Sequence, residues 1–247
     1  MSLAGPEILY QEGPCFVVAK PAGILTQAPP DIPSLEGCVR QLIRKCEGKT
    51  GNFYLGVPHR LDRPVSGALV LARHVRACRR LADQFAERSV GKIYWAVVEG
   101  VVQSPEGSWI DHMRKIPGRA KAEIVSPDHP DAREARLTYR VLEETTFGSL
   151  LEITLETGRM HQIRLQAQSR GFPVLGDTRY GAVHPFGVQH DDPRLRSIAL
   201  HGRLLTFQHP MTRASVTVEA PLTADWSSLN LVAPSGSPEK GGPSMLE

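Results

Sequence analysis

Alternating and continuous apolar runs along the chain predict a series of short β-strands. The clearest is SLLEITLET (149–157), in which Leu151, Ile153 and Leu155 fall on one face and the intervening polar residues on the other. Continuous runs such as FVV and GALVLA are typical of buried strands. The predicted strands are two within residues 8–26 around a Glu-Gly-Pro turn, then 67–72, 92–100, 137–144, 149–157, about 203–207 and about 215–219.

Helical spacing of apolar residues predicts three helices, at about 35–46, 75–88 and 160–169. Ser34 is the expected N-cap of the first helix. Gly91 is expected to stop the second helix, and Gly171 the third. The inner stripe of the second helix is predicted to consist of Val75, Cys78, Ala82 and Phe85.

Strands with one polar face, joined by short turns, predict an α+β fold: a mixed, mainly antiparallel β-sheet with flanking helices. The chain has no regular βαβ alternation and no GxGxxG or GxxxxGK[ST] loop, which disfavours a nucleotide-binding α/β fold. We expect a loose end at 1–7, one domain at 8–230 and a disordered tail at 231–247. Residues 103–135, broken by proline and glycine, predict a hairpin or loop excursion.

Composition narrows the class of protein. The net charge is +3 over 247 residues, which is compatible with a polyanionic partner without requiring one. The cysteines have no CxxC spacing, so neither a zinc site nor a disulfide framework is expected. No apolar stretch approaches the ~20 residues that span a bilayer, and the N-terminus lacks the pattern of a signal peptide. We therefore expect a soluble cytoplasmic protein with no membrane partner.

Four stretches place polar side chains at turns or at the ends of predicted elements: AKPAG (19–23), HRLDRPVSG (59–67), KIY (92–94) and TGRMHQIR (157–164). Each stretch alone is explained by a turn, a half-buried tyrosine, a charged loop or a capped helix. Together they indicate more, because Asp62 directly precedes a buried strand and a desolvated carboxylate needs a cation. Arg164 is the candidate partner, and a planar guanidinium can hold a carboxylate bidentately. An ionised aspartate in a pocket serves as nucleophile or general base, and Tyr94 could present a flat face to a ring.

The order of these motifs resembles that of the RluA family of RNA pseudouridine synthases. KPAG is followed by HRLD with a Ser-Gly pair, then KxY, then TGRxHQIR. GFPVLGDTRYG (171–181) and IALHGRLLTFQHP (198–210) complete the series, which extends from residue 8 to about 222. The resemblance implies the pseudouridine synthase catalytic fold over 8–230.

The resemblance also implies a function, the isomerisation of a uridine in rRNA or tRNA to its C-glycoside. Asp62 would be the catalytic aspartate, Tyr94 would pack against the flipped uracil, and Arg164 would pair with Asp62. Arg60 would enter the RNA stack to help expel the base. The reaction needs no cofactor or metal, and a monomer is the expected state. The expected substrate or RNA contacts are Arg60, His59, Lys20, Arg63, Arg159, His161 and Gln162.

Two departures from the family pattern fall near the proposed site. Pro64-Val65 stands where an acidic residue and threonine are usual, and Met160 replaces a usual threonine. Core strands begin by about Ile8, so we expect no N-terminal S4-type RNA-binding domain and assign RNA selection to loops such as 103–135 and 182–197. The alternatives are a catalytically idle RNA-binding protein on this fold and a hydrolase using Asp62 with a histidine. The hydrolase is disfavoured because no GxSxG elbow or metal-ligand cluster is present.

Overall fold

The computed structural model describes residues 5–48 and 50–231. Its backbone forms one ten-stranded sheet over the described residues, together with three α-helices. The helices are α1 (Leu35–Glu47), α2 (Val75–Ala86) and α3 (Gln162–Gln168). The strands are β1 (Ile8–Glu12), β2 (Cys15–Lys20), β3 (Ser66–Ala72), β4 (Gly91–Glu99), β5 (Glu106–Lys115), β6 (Ala122–Ile124), β7 (Arg133–Thr145), β8 (Gly148–Leu155), β9 (Leu200–Gln208) and β10 (Ser215–Glu219).

The sheet confirms the predicted mixed, mainly antiparallel architecture. Its strand order is β1-β2-β3-β9-β4-β8-β7-β5-β6, and β10 pairs with β9 outside that path. Every pairing is antiparallel except that of β3 with β9. The segment predicted as a hairpin or loop contains the β5–β6 hairpin and the start of β7.

The parallel contact between β3 and β9 depends on two glycines that face each other. Gly67 has φ 132°, and a Cβ at this position would lie 2.4 Å from the backbone nitrogen of Gly202. Only glycine allows two backbones to approach so closely. Gly202 is also the register partner of Tyr94 on β4. This crossing therefore brings the loop that precedes β3 beside Tyr94.

The helices cover both faces of the sheet. Buried residues of α1 and α3 share one core with β2, β3, β4 and β8. Those of α2 pack on the opposite face with β3 and β9. The alternation predicted for β8 is confirmed, because Leu151, Ile153 and Leu155 are buried while Thr154 is exposed.

The predicted helices differ from the structure mainly at their ends. Ser34 caps α1 as expected, accepting a hydrogen bond from the Gly37 amide at 3.2 Å. The predicted inner stripe of α2 was wrong at Val75, which is 63% exposed, because the face that packs on the sheet is centred on Ala77 and Leu81, with Cys78 and Phe85 beside them. Gly91 is not a helix stop but the first residue of β4.

Three further observations concern the ends of the chain, membrane-spanning helices and metal sites. Residues 1–4 of the predicted loose end and 232–247 of the predicted tail lie outside the described residues. None of the helices within the described ranges is long and apolar enough to cross a membrane. Across those same ranges, no group of three or more histidine, cysteine or acidic side chains is arranged to hold a metal ion.

Candidate active site

A cavity of about 650 Å³ opens where the loop before β3 meets the start of β4 and the first turn of α3. It brings together three of the four stretches that the sequence singled out, and the remaining stretch, AKPAG, lies behind it. The site residues predicted from the sequence that line this cavity are His59, Arg60, Asp62, Tyr94, Arg159, His161, Gln162 and Arg164.

Asp62 and Arg164 form the ion pair that the sequence predicted, with a different geometry. Arg164 Nη1 lies 3.2 Å from Asp62 Oδ2, a single contact. The bidentate partner of the guanidinium is Asp177, whose carboxylate accepts from Nε at 2.5 Å and from Nη2 at 2.9 Å. Arg164 and Asp177 are 4% and 2% exposed. The two carboxylates raise the pKa of Arg164 against the opposing effect of burial, so the arginine is a fixed cation.

The free oxygen of Asp62 points to its chemical use. Oδ2 contacts Arg164, whereas Oδ1 makes no hydrogen bond to any residue in the described ranges. The side chain keeps 19% of its surface exposed. A carboxylate held by one oxygen and open at the other can act on a ligand in the cavity.

His161 is the second group that faces Asp62. It precedes α3 with φ 54°, and its Nε2 lies 3.6 Å from Asp62 Oδ2, an electrostatic contact longer than a hydrogen bond. Its Nδ1 lies 2.8 Å from the hydroxyl of Tyr180. Burial lowers the pKa of His161 to about 4, which keeps the ring neutral at pH 7.

Tyr94 stands beside this pair on β4. A Cβ at its register partner Gly202 would lie 3.5 Å from Tyr94 Cε1, an ordinary van der Waals contact, so the β9 backbone packs directly beside the ring. Burial, and then the nearby carboxylate of Asp62, raise the pKa of Tyr94, which therefore remains an uncharged phenol. Such a ring can stack on a planar base.

Lys20 was predicted as an RNA contact, and the structure corrects this. The side chain is 1% exposed, and its ammonium donates to the carbonyl oxygens of Pro21, Asp62, Arg63 and Val65 at 2.8 to 3.3 Å. Burial lowers the pKa of Lys20 to about 7. Three of these four carbonyl oxygens belong to the loop that carries Asp62, so the lysine supports that loop from behind.

His59 and Gln162 line the cavity and also make hydrogen bonds that hold neighbouring segments of the protein. His59 Nε2 accepts from the Val70 amide at 2.9 Å, and its ring stacks on Phe85. Burial lowers the pKa of His59 to about 3, so it is neutral and anchors the loop. The Gln162 amide bonds to Thr157 Oγ1, to the Arg159 nitrogen and to the Arg136 carbonyl, which closes the turn before α3. Both residues line the cavity, and their predicted contact with RNA stays a prediction.

The cations at the cavity mouth differ from Arg164 in having no carboxylate partner among the described residues. Arg60, Arg88, Lys92 and Lys115 line the mouth, and none has an ion pair with a residue in the described ranges. Burial, followed by the charge of Arg88, lowers the pKa of Lys92. Arg159 joins them, although its Nε donates to the Glu134 carbonyl at 2.8 Å. The mouth is thus a group of cations that the protein leaves without carboxylate partners.

Arg63 is on the same loop but is not part of the cavity lining. Arg194 and, more weakly, Arg63 lower the pKa of Asp192 to about 2, which places Arg63 near the 192–194 turn. Its predicted contact with RNA stays a prediction.

The Pro64-Val65 departure is accommodated by the fold. The Val65 amide closes a turn onto the Asp62 carbonyl at 3.1 Å, and the Pro64 carbonyl accepts from the Ile198 amide at 3.2 Å. Val65 is 2% exposed within the core, a place where a buried hydroxyl would need a partner. The apolar side chain therefore suits the loop that holds Asp62.

Reasoning from the sequence missed Asp177 and Tyr180, which touch Arg164 and His161 directly. Both lie in GFPVLGDTRYG, a stretch that the sequence marks only as part of the family pattern. A usable signal was the arginine of a helix predicted to be buried, since its guanidinium needs more acceptors than one partly exposed carboxylate provides.

Comparison with known proteins agrees with this site. A family model described as RNA pseudouridylate synthase matches residues 14–169. A relative from Haemophilus influenzae named tRNA pseudouridine synthase C is 32% identical over 234 residues, covering 90% of this chain and 95% of the relative. A relative from Nitrosomonas europaea named ribosomal large subunit pseudouridine synthase D is 33% identical, covering 90% of this chain and 64% of the relative. The chain thus spans less than two thirds of the Nitrosomonas protein.

The fold has a counterpart among solved structures. The structure of human RNA pseudouridylate synthase domain containing 4 superposes with a TM-score of 0.74 at 23% identity, covering 92% of this chain and 94% of that one. At this identity the likeness establishes the fold, and the site must be argued from the residues present.

Proposed function

The chain belongs to the RNA pseudouridylate synthase family, and from that premise we propose that it isomerises uridine to pseudouridine in RNA, with Asp62 as the catalytic aspartate. The observation that carries the proposal is the Asp62–Arg164 contact of 3.2 Å at the base of a cavity that also exposes Tyr94. The arrangement fits an ionised carboxylate that is held in place and open on one side.

The reaction is redox-neutral and breaks one bond for each bond that it forms. The N1–C1′ bond of uridine is cleaved, the uracil turns, and C5 bonds to C1′. The hydrogen at C5 leaves to solvent and N1 gains a proton, so the atoms balance without a cofactor. Positive charge develops at C1′ during cleavage, and a nearby carboxylate such as Asp62 stabilises it.

Access to the uridine requires base flipping, because a stacked base is out of reach of the cavity. Tyr94 supplies a ring on which the flipped uracil can stack, and exposed Arg60 at the mouth can fill the space that the base leaves. The mouth cations Arg88, Lys92 and Lys115 suit the adjoining phosphates. A protein that only bound RNA would not need a carboxylate paired at the base of this cavity.

The substrate is proposed as tRNA or rRNA, the two classes named for the Haemophilus and Nitrosomonas relatives. The proposal includes a cytoplasmic monomer, since it needs no membrane and no second subunit at the site. Mapping of pseudouridine in total RNA from cells with and without the gene would identify the modified position. A map that is unchanged by loss of the gene would contradict the proposal.

Release of tritium from 5-tritiated uridine in RNA tests the assignment of Asp62. We expect Asp62→Asn to lower the rate by at least about 1,000-fold, because the amide cannot offset positive charge at C1′. RNA affinity should change little, since the mouth cations are intact. Asp83→Asn, an exposed aspartate on α2, is the matched control and should release tritium at the wild-type rate. Undiminished release by Asp62→Asn would overturn the assignment.

A further inference from the structure

We propose that the turn Asp177–Tyr180 is a positioning device that fixes the Asp62 carboxylate through two separate contacts, one by way of Arg164 and one by way of His161. This inference rests on the proposed function, because it concerns the reactive carboxylate of the same site. Unlike Asp62, neither Asp177 nor Tyr180 lines the cavity. They act on the side chains that touch Asp62, and are therefore positioning residues.

The first contact runs from Asp177 to Arg164. The two oxygens of Asp177 hold Nε at 2.5 Å and Nη2 at 2.9 Å, which fixes the plane of the guanidinium. The remaining nitrogen, Nη1, then points at Asp62 Oδ2 at 3.2 Å. Asp177 is 2% exposed, so water does not compete for the guanidinium on that side. Asp177 therefore sets the direction of Nη1 and, through it, the position of the Asp62 carboxylate.

The second contact runs from Tyr180 to His161. The Tyr180 oxygen accepts from the Ala122 amide at 3.3 Å and lies 2.8 Å from His161 Nδ1. Among the described residues, Nδ1 is the acceptor within reach of the phenol proton. Nδ1 therefore accepts, and the ring proton of the neutral histidine sits on Nε2. That N–H faces Asp62 Oδ2 at 3.6 Å.

The two contacts share a single rigid turn. The amides of Tyr180 and Ala182 both donate to the Asp177 carbonyl, at 2.9 and 3.1 Å. Tyr180 also lies beneath Arg164, whose Cζ is 5.1 Å from the ring centroid. One turn thus touches both groups that contact Asp62, and it does so from the buried side, outside the lining of the cavity. A shift of the turn would move both contacts together.

Asp177→Asn and Tyr180→Phe test the two contacts separately by single-turnover kinetics on 5-tritiated RNA. An asparagine at 177 offers one acceptor where Arg164 needs two, so we expect the rate of the bound complex to fall about 100-fold. Loss of the phenol hydroxyl leaves the histidine ring unheld, and we expect a fall of about 10-fold. The Kd for RNA should stay within about 2-fold for both variants, because no mouth cation changes.

Matched controls separate positioning from general loss of structure. Asp111 pairs with Arg170 of the segment after α3 at 2.8 Å and accepts from Gln166 of α3 at 2.7 Å, but it contacts neither Arg164 nor His161. Tyr139 is half-buried on β7, and its ring packs against Trp109 at a tilt of 44°. Asp111→Asn should therefore lower thermal stability, and neither Asp111→Asn nor Tyr139→Phe should change the rate of the bound complex. Rates that fall equally in all four variants, in step with their melting temperatures, would overturn the proposal.

A readout independent of catalysis is the tautomer of His161, followed by ¹⁵N NMR of the imidazole at pH 7. In the wild type we expect a neutral ring with the proton on Nε2, and in Tyr180→Phe a mixture of both tautomers. A proton on Nδ1 in the wild type would overturn the Tyr180 contact. If the tautomers are as expected but the wild type forms no pseudouridine, the proposed function fails and the arrangement of the turn stands.

Discussion

The base and the mouth of the cavity handle charge in opposite ways. At the base, Arg164 is shared between Asp62 and Asp177, and His161 is held neutral by burial. At the mouth, Arg60, Arg88, Lys92 and Lys115 have no carboxylate partner in the described part of the chain. The charges at the base are therefore paired within the protein, whereas the cations at the mouth are available to bind an anion.

This difference separates two tasks of the proposed enzyme. Paired and buried charges are preorganised, so they act on the reacting atoms without reorganising at the moment of reaction. Unpaired exposed cations give affinity for a phosphate backbone that depends on salt. Variants of the base should change the chemical step, and variants of the mouth should change binding. The comparison fails if the two effects cannot be separated.

The largest effect among these variants is expected for Arg164→Met. Removal of the guanidinium leaves Asp177 buried without its partner and Asp62 without its anchor, so the rate of the bound complex should fall by about 100- to 1,000-fold. RNA affinity, measured by filter binding, should stay within about 3-fold, since Arg164 is 4% exposed and faces the carboxylates.

Arg170→Met is the matched control for that variant. Arg170 follows α3, pairs with Asp111 and lies outside the cavity lining, so its loss removes the same functional group without touching Asp62. Its chemical rate should match the wild type. A loss of affinity for Arg164→Met as large as its loss of rate would show that base and mouth are not separate.

The residues of the base were partly predictable from the sequence. A carboxylate at the entry of a buried strand requires a cation, and this requirement points to Arg164 on the helix that follows TGRMHQ. The antiparallel sheet followed from strict alternation in SLLEITLET. The parallel pairing of β3 with β9 did not follow, because periodicity within a strand says nothing about a partner far away in the chain. It depends on Gly67 and Gly202, whose meeting only the fold reveals.

The assignment of Lys20 as an RNA contact failed for a physical reason. A lysine side chain is suited to phosphate, and the sequence shows that chemistry without showing which way the side chain points. Four carbonyl oxygens around the Lys20 ammonium turn a potential phosphate contact into a support for the Asp62 loop. The mouth cation Arg88 was missed for the converse reason. It follows α2 with φ 60°, a conformation that turns the chain toward the cavity and that helical periodicity does not predict.

An intermediate effect is expected for the double variant Arg88→Gln/Lys92→Gln at the mouth. Loss of two unpaired cations should weaken RNA binding by about 10-fold at moderate salt and reduce the slope of log K against log salt by about 1.4 to 1.8. The single-turnover rate at saturating RNA should be unchanged, because the base of the cavity is untouched. Binding titrations at several salt concentrations, paired with tritium release, give both quantities.

The control for the mouth is Arg76→Gln/Arg79→Gln, which removes the same two charges from an exposed part of α2 outside the cavity lining. It should leave affinity and salt slope closer to the wild type than the mouth variant does. Equal losses in both double variants would mean that total charge, and not the mouth, attracts RNA.

The smallest effect concerns His59, the neutral histidine that anchors the loop. Burial places its folded pKa at about 3, below its ordinary value of 6.5, so the unfolded chain takes up a proton first as the pH falls. Stability contributed by this neutral ring is present above pH 6.5 and is lost between pH 6.5 and 3, by up to about 1.4 kcal/mol per pH unit.

A glutamine at 59 can still accept from the Val70 amide but does not titrate. Urea unfolding of His59→Gln should therefore show a shallower loss of stability between pH 6.5 and 4 than the wild type. His190→Gln, at an exposed histidine, should keep the wild-type slope. If the free energy of unfolding of His59→Gln depends on pH as steeply as that of the wild type, the His59 ring is not held neutral in the folded protein. The burial that keeps His161 neutral at the base of the cavity would then not extend to the loop that carries Asp62.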